Sequence, residues 1–252
     1  MLGVEDRIDV AEFLSSGRVE VDFEAGDLPN RIARGFEQFL KGKSLEDRMQ
    51  WAFDLGVVDE HGNSDYDTGY ARKSGGPYDR KDIFHYKIIL DALLKERKIE
   101  TGRHEPWLRD LQELFSLSFM KILEFARSFD ADSPGLDLSR RILDPAAMAM
   151  HALRALHYDQ RGRDETDSAQ IGKPHTDKNF LTLHVAESAP GMRMGDNHEL
   201  YRAAPHTALI FTGDKMGRLS EGKIPALLHD VRSDGMTQGS RWSIVFFCHI
   251  AV

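Results

Sequence analysis

Three residues stand out because together they can hold a metal. His175-Thr176-Asp177 places an imidazole and a carboxylate two positions apart, and His229 supplies a second imidazole far downstream. Two histidines and one carboxylate on one face of a metal leave three positions open. Non-haem iron(II) centres use this arrangement, because the metal must take both a chelating 2-oxo acid and dioxygen. Residues i and i+2 of a strand point to the same face, so the spacing predicts one strand aiming His175 and Asp177 inward together. The third ligand then comes from a distant strand. The triplet is not unique. His157-Tyr158-Asp159 has the same form, and His229 can serve either one. With eleven histidines in the chain, about one His-x-Asp is expected by chance.

The surroundings separate the two triplets. Arg241-Trp242-Ser243 lies beyond His229, and Arg241 and Ser243 share one face of a predicted strand. A guanidinium is the natural two-pronged partner of a carboxylate, and a serine hydroxyl adds one hydrogen bond. A triad followed by this Arg-x-Ser is far more specific than either part.

HTDKNFLTLHV, TALIFTGDKMGRLSEGKIPALLHDV and SRWSIVFF, in that order, resemble the isopenicillin N synthase-like branch of the iron(II)/2-oxoglutarate-dependent dioxygenases. The shared features are His-Thr-Asp with a following Leu-Thr, a Gly-Asp before the distal strand, a His-x-Val and an Arg-x-Ser. The resemblance covers about residues 149 to 250 well. Gly69-Tyr70 and DRKDIFHY match the family's N-terminal segments more loosely. It implies that iron(II) is held by His175, Asp177 and His229, and not by the His157 triplet. It also implies that Arg241 and Ser243 bind the distal carboxylate of 2-oxoglutarate. Tyr158 falls where the family places a tyrosine that touches the same carboxylate, which turns His157 away. The chain departs from the family at Leu156, where asparagine is common, at Asp159, where proline is common, and in the charged segment RGRDETDSAQ.

The implied reaction couples oxidative decarboxylation of 2-oxoglutarate by dioxygen, giving succinate and carbon dioxide, to hydroxylation of a small-molecule substrate. Desaturation and cyclisation use the same site. The alternatives are a same-fold oxidase that does not use 2-oxoglutarate, a sensor that binds metal and 2-oxo acid without turnover, and a metal-dependent hydrolase. Candidate substrate contacts are His184, Arg193 and Tyr70. His184 stands in LTLHV where the family has an apolar residue, Arg193 stands near the expected pocket mouth, and Tyr70 lies in a long polar loop that can serve as a lid. His85, Phe180 and Phe211 read as structural.

These residues need a scaffold. Leu28, Ile32, Phe36, Phe39 and Leu40 recur at helical spacing, and so do the apolar residues from Trp107 to Phe125, with Pro106 suited to a first turn. Residues 56 to 80 are rich in Gly, Asp, Asn and Ser and read as a long loop. After residue 149 short apolar or alternating runs are divided by turn signals, the pattern of a sandwich or barrel. The expected fold is mixed α+β: a helical N-terminal half packed on a double-stranded β-helix, or jelly-roll, core in the C-terminal half, all within one domain over 1–252.

Composition narrows the class. The chain has 252 residues, a net charge of −8 and a single cysteine, Cys248. An acidic chain argues against nucleic acid as partner. One cysteine excludes an internal disulfide and a multi-thiolate zinc site. No run approaches the ~20 apolar residues of a membrane span, and acidic residues stand where a signal peptide is basic. A cytoplasmic enzyme is the expectation.

Overall fold

The computed structural model describes residues 9–55, 68–74, 80–133, 135–159, 170–233 and 240–251. Local signals set its first elements. The Asp9 carboxylate accepts the Glu12 N–H and starts α1 (Val10–Ser16), and Gly17 ends it at a φ of 71°. A Cβ on Gly17 would stand 2.5 Å from the Pro225 carbonyl oxygen, so both the turn and the close approach require glycine there. β1 (Arg18–Asp22) follows, then α2 (Leu28–Gly42) with proline in its first turn. The Ser44 hydroxyl caps α3 (Leu45–Met49) by accepting the Asp47 N–H. β2 (Ala52–Phe53), β3 (Thr68–Ser74) and β4 (Arg80–Tyr86) form an antiparallel meander. α4 (Leu90–Glu96) leads to the long α5 (Glu105–Asp132), which carries Pro106 in its first turn and buries Trp107, Leu111, Leu114, Ile122 and Phe125 on one side. Two short helices, α6 (Leu138–Ile142) and α7 (Pro145–Met150), complete this half.

The remaining elements are β5 (Ala152–Asp159), β6 (Gln170–His175), β7 (Leu181–Glu187), β8 (Met192–Met194), β9 (Glu199–Leu200), β10 (Thr207–Thr212), α8 (Asp214–Leu219), β11 (His229–Arg232) and β12 (Ser240–Cys248). They build two antiparallel sheets. The larger has the order β1-β10-β7-β12-β5-β4-β3-β2 and the smaller β6-β11-β8-β9. From β5 to β12 the chain passes back and forth between the two sheets.

Strand alternation gives the larger sheet two different faces. Leu181, Leu183 and Val185 of β7, Ile244 and Phe246 of β12, and Phe84 of β4 join one apolar core with α1, α2 and α5. The opposite face meets the smaller sheet in two patches. Met192 and Met194 pack with Leu209, Phe211 and Leu227. Ile171 and Val231 pack with Ala71, Ile83, Leu156 and Tyr158.

Two expectations change here. The N-terminal half is mainly helical, but it also supplies β1 to β4, half of the larger sheet. The expected loop over 56–80 contains a strand, β3, because Gly69 turns at a φ of 77° against the Trp51 carbonyl and lets Tyr70 pair with Phe84. Residues 56–67 and 75–79, on which the lid reading also rests, lie outside the described residues. Among the described residues no helix is long and apolar enough to cross a membrane.

Candidate active site

His175 is the last residue of β6 and His229 the first of β11, and the two strands pair with these residues directly opposite. Asp177 is not on the strand with His175. β6 ends at His175, and Asp177 lies in the turn before β7. The expectation of both ligands on one strand is therefore corrected: a turn, not alternation, brings the carboxylate back over the sheet.

The turn is tightly held. The Thr182 hydroxyl donates to Asp177 Oδ2 at 2.6 Å, and Asn179 Nδ2 donates to Thr182 Oγ1 and to the Leu181 carbonyl. The Asp214 N–H bonds the Asp177 carbonyl at 2.7 Å. A Cβ on Gly213 would stand 2.3 Å from the Asn179 carbonyl oxygen, so Gly213-Asp214 can close over this turn only with glycine. With Oδ2 engaged, Oδ1 faces the histidines. It is 3.7 Å from His175 Nε2 and 3.9 Å from His229 Nε2.

The donor atoms suit a divalent transition metal. One atom from each of His175, Asp177 and His229 lies within 4.8 Å of the others. His175 Nδ1 contacts the Lys173 carbonyl at 2.7 Å and His229 Nδ1 the Leu227 carbonyl at 3.2 Å. These contacts fix Nδ1 as the protonated nitrogen and leave both Nε2 lone pairs for a metal. Partial burial and the adjacent His229 hold His175 below its ordinary pKa, which favours the neutral form a ligand needs. Two imidazoles and one carboxylate are also the donors iron(II) takes in a facial triad. Alternation turns His157 of the competing triplet away from His229. His157 faces the helices, with its ring 6.4 Å from Phe36.

The second half of the site lies on β12. Arg241 is 1% exposed and Ser243 4% exposed, and both face the smaller sheet. Arg241 Nε donates to the Ala189 carbonyl at 3.2 Å, Nη2 pairs with Glu187, and the guanidinium carbon lies 5.3 Å from the Tyr158 ring centre. Arg241 Nη1 is buried and has no hydrogen-bond partner among the described residues. His184 lies in the same recess, its Nε2 3.7 Å from Glu187 Oε2. Burial, with the positive Arg241 nearby, lowers its pKa to about 3, so it is a neutral wall of this recess.

The other candidate substrate contacts go elsewhere. Tyr70 faces the helical core, where its hydroxyl donates to Asp82 at 2.5 Å and its ring lies 5.9 Å from Phe39. Its neighbour Ala71 takes the inner face, so alternation removes Tyr70 from the site. Arg193 is also turned out. Met192 and Met194 point inward, and Arg193 donates to the His198 carbonyl on the far side of the smaller sheet. Phe180 is core. Phe211 is core too, but its ring also lies 5.1 Å from His229.

Three contributors were not singled out by sequence reasoning. Thr182 had a signal, the Leu-Thr after the metal motif. Lys81, whose ammonium lies 5.5 Å from the Tyr158 ring, had a weaker one, two residues before the inward Ile83. Glu187 had none.

Residues 149–250 match the family model described as the 2OG-Fe(II) oxygenase superfamily. A flavonol synthase/flavanone 3-hydroxylase from Matthiola incana is 28% identical over 115 residues, 45% of this chain and 39% of that protein. The match thus spans well under two thirds of the relative. Among solved structures, a full-length Neurospora crassa protein in complex with alpha-KG superposes with a TM-score of 0.70 at 15% identity, covering 96% of this chain and 76% of that one. The Arabidopsis thaliana dioxygenase for auxin oxidation 1, in its 2-oxoglutarate complex, gives 0.66 at 17% identity, covering 99% and 91%. At such identities these structures speak for the fold, and the family match over residues 149–250 makes the segment that bears the triad and Arg241 similar to the 2OG-Fe(II) oxygenase superfamily.

Proposed function

We propose that this protein is an iron(II)- and 2-oxoglutarate-dependent oxygenase acting on a small organic molecule. The observation that carries the reading is the convergence of His175, Asp177 and His229 with both Nδ1 atoms already engaged by carbonyls. Bound iron(II) supplies the redox chemistry that uses dioxygen to decarboxylate 2-oxoglutarate and to oxidise the substrate. The protein's own residues position and shield. His175, Asp177 and His229 hold the metal, and Thr182 and Asn179 keep Asp177 oriented. Arg241 and Ser243, with Tyr158 beside them, take the far carboxylate of 2-oxoglutarate. The apolar wall of Ala71, Ile83, Leu156 and Val231 keeps water from the target C–H. Hydroxylation is the default outcome, and desaturation or ring closure follows where the substrate is held differently.

We read the two sheets as the halves of a double-stranded β-helix and the helical shell as part of the same domain. Supporting this are the alternation of β5 to β12 between sheets and the single core shared by helices and strands.

The test is anaerobic titration of the protein with iron(II) and 2-oxoglutarate, scored by the weak visible charge-transfer band of the chelate. Wild type is expected to show it and Asp177→Ala to lose it. On admitting air, substrate-stimulated succinate formation is expected. No band in wild type, or an unchanged band in Asp177→Ala, overturns the proposal. A band with no 2-oxoglutarate consumption across a broad substrate panel identifies a binding protein instead.

A further inference from the structure

The pairing of β7 with β12 is irregular at one point. Glu187 stands opposite Ser243 and Ala186 opposite Ile244, but Val245 stands opposite His184, which leaves Val185 as an extra residue. Such a bulge restarts the in–out alternation of its strand. Val185 and Ala186 both lie against the helical core. Uninterrupted alternation from His184 would put Glu187 on that side too. The bulge returns it to the inner face, next to Arg241.

The result is a buried ion pair at the co-substrate anchor. The Glu187 side chain is 6% exposed and that of Arg241 1%. The carboxylate engages Nη2, Ala189 holds Nε, and Nη1 has no partner among the described residues. Tyr158 flanks the guanidinium, and a Cβ on Gly191 would stand 3.0 Å from Nε, so Arg241 has little room to turn away. Glu187 is less firmly held. Besides Arg241 it has the Gly191 backbone N–H and the neutral His184. Burial raises its carboxyl pKa despite the arginine, which marks a carboxylate poorly compensated for lost water.

We propose that Glu187 is a specificity-determining residue for the co-substrate, an internal carboxylate occupying the edge of Arg241 that the distal carboxylate of 2-oxoglutarate uses. This rests on the 2-oxoglutarate reading above. A carboxylate that grips Nη1 and Nη2 together must displace Glu187 from Nη2, so the residue weakens 2-oxoglutarate binding. A 2-oxo acid without a distal carboxylate does not meet it.

Glu187→Gln and Glu187→Ala test this. Iron(II)-loaded protein is titrated anaerobically with 2-oxoglutarate and, separately, with pyruvate, by the chelate band and by calorimetry. Both variants are expected to bind 2-oxoglutarate about tenfold or more tighter than wild type and pyruvate equally well. A residue that merely orients Arg241 predicts the reverse, weaker 2-oxoglutarate binding. Equal or weaker binding of 2-oxoglutarate in both variants, or equal tightening for pyruvate, overturns the inference while leaving the co-substrate reading intact. No band in wild type or either variant at millimolar 2-oxoglutarate overturns both.

Discussion

The two faces of the eight-stranded sheet are made from alternate residues of the same strands, and they solve opposite problems. On β4, Phe84 packs 4.6 Å from Trp107 in the helical core while Ile83 lines the space between the sheets. On β7, Leu183 is core while Thr182 and His184 face the site. The helix-facing side is largely apolar; it pairs the ionisable groups of the Tyr70–Asp82–Arg48 cluster, and Thr68 Oγ1, Trp107 Nε1 and Ser118 Oγ, buried there without partners among the described residues, are neutral. The inner side buries Asp177, His184, Glu187 and Arg241, and leaves Arg241 Nη1 and His184 Nδ1 without partners among the described residues. Burying such groups costs free energy that apolar packing must offset. One face supplies the stability, and the other uses some of it to keep binding groups ready.

That division is open to attack from either side, beginning with the largest effect. His229→Ala removes a proposed metal ligand from the inner face and is expected to weaken iron(II) binding by more than roughly 100-fold, judged against the effects of outer partners alone. Its melting temperature is expected to stay near wild type. Calorimetric metal titration and thermal melts check the pair. Phe84→Ala, one position from the inner wall, is expected to do the opposite. It costs about 3–5 kcal/mol of stability as a core aromatic deletion, read by urea unfolding, with metal affinity retained.

The next prediction concerns pH. His151 is buried between Phe119 and Phe246, and its Nδ1 accepts the His249 N–H, so it is neutral. Burial pushes its pKa down from 6.5 to about 4. The unfolded chain therefore takes up this proton first as pH falls. Stability is full above 6.5 and declines down to about 4, by about 3 kcal/mol for this group. His85 and His249, also held well below their ordinary values, act in the same direction. His151→Asn is expected to flatten the pH dependence of urea unfolding over that window, and an unchanged slope would count against the assignment.

Smaller effects sharpen the contrast. Thr182→Val leaves the fold but frees Asp177 Oδ2, and metal affinity is expected to fall roughly 10-fold, the lower end for an outer partner of a ligand. Tyr70→Phe removes a hydroxyl from the helix-facing side. It is expected to cost about 1 kcal/mol and to leave 2-oxoglutarate affinity and substrate KM unchanged. A changed KM would return Tyr70 to the list of substrate contacts.

The sequence carried the parts of this protein that depend on local chemistry. Helical periodicity and Pro106 marked α5, turn signals marked the strands after residue 149, and residue types with the following Arg-x-Ser pointed to His175, Asp177, His229 and Arg241. Such signals are local because hydrogen bonding within a helix and alternation along a strand repeat over a few residues. Orientation was not local. Asp177 reaches the histidines through a turn, Tyr70 and Arg193 face away because their neighbours take the inner positions, and Glu187 meets Arg241 only because β7 gains a residue against β12. Each outcome depends on which side of a strand faces which layer. A single inserted residue reverses that choice, so pairing between distant strands decided it.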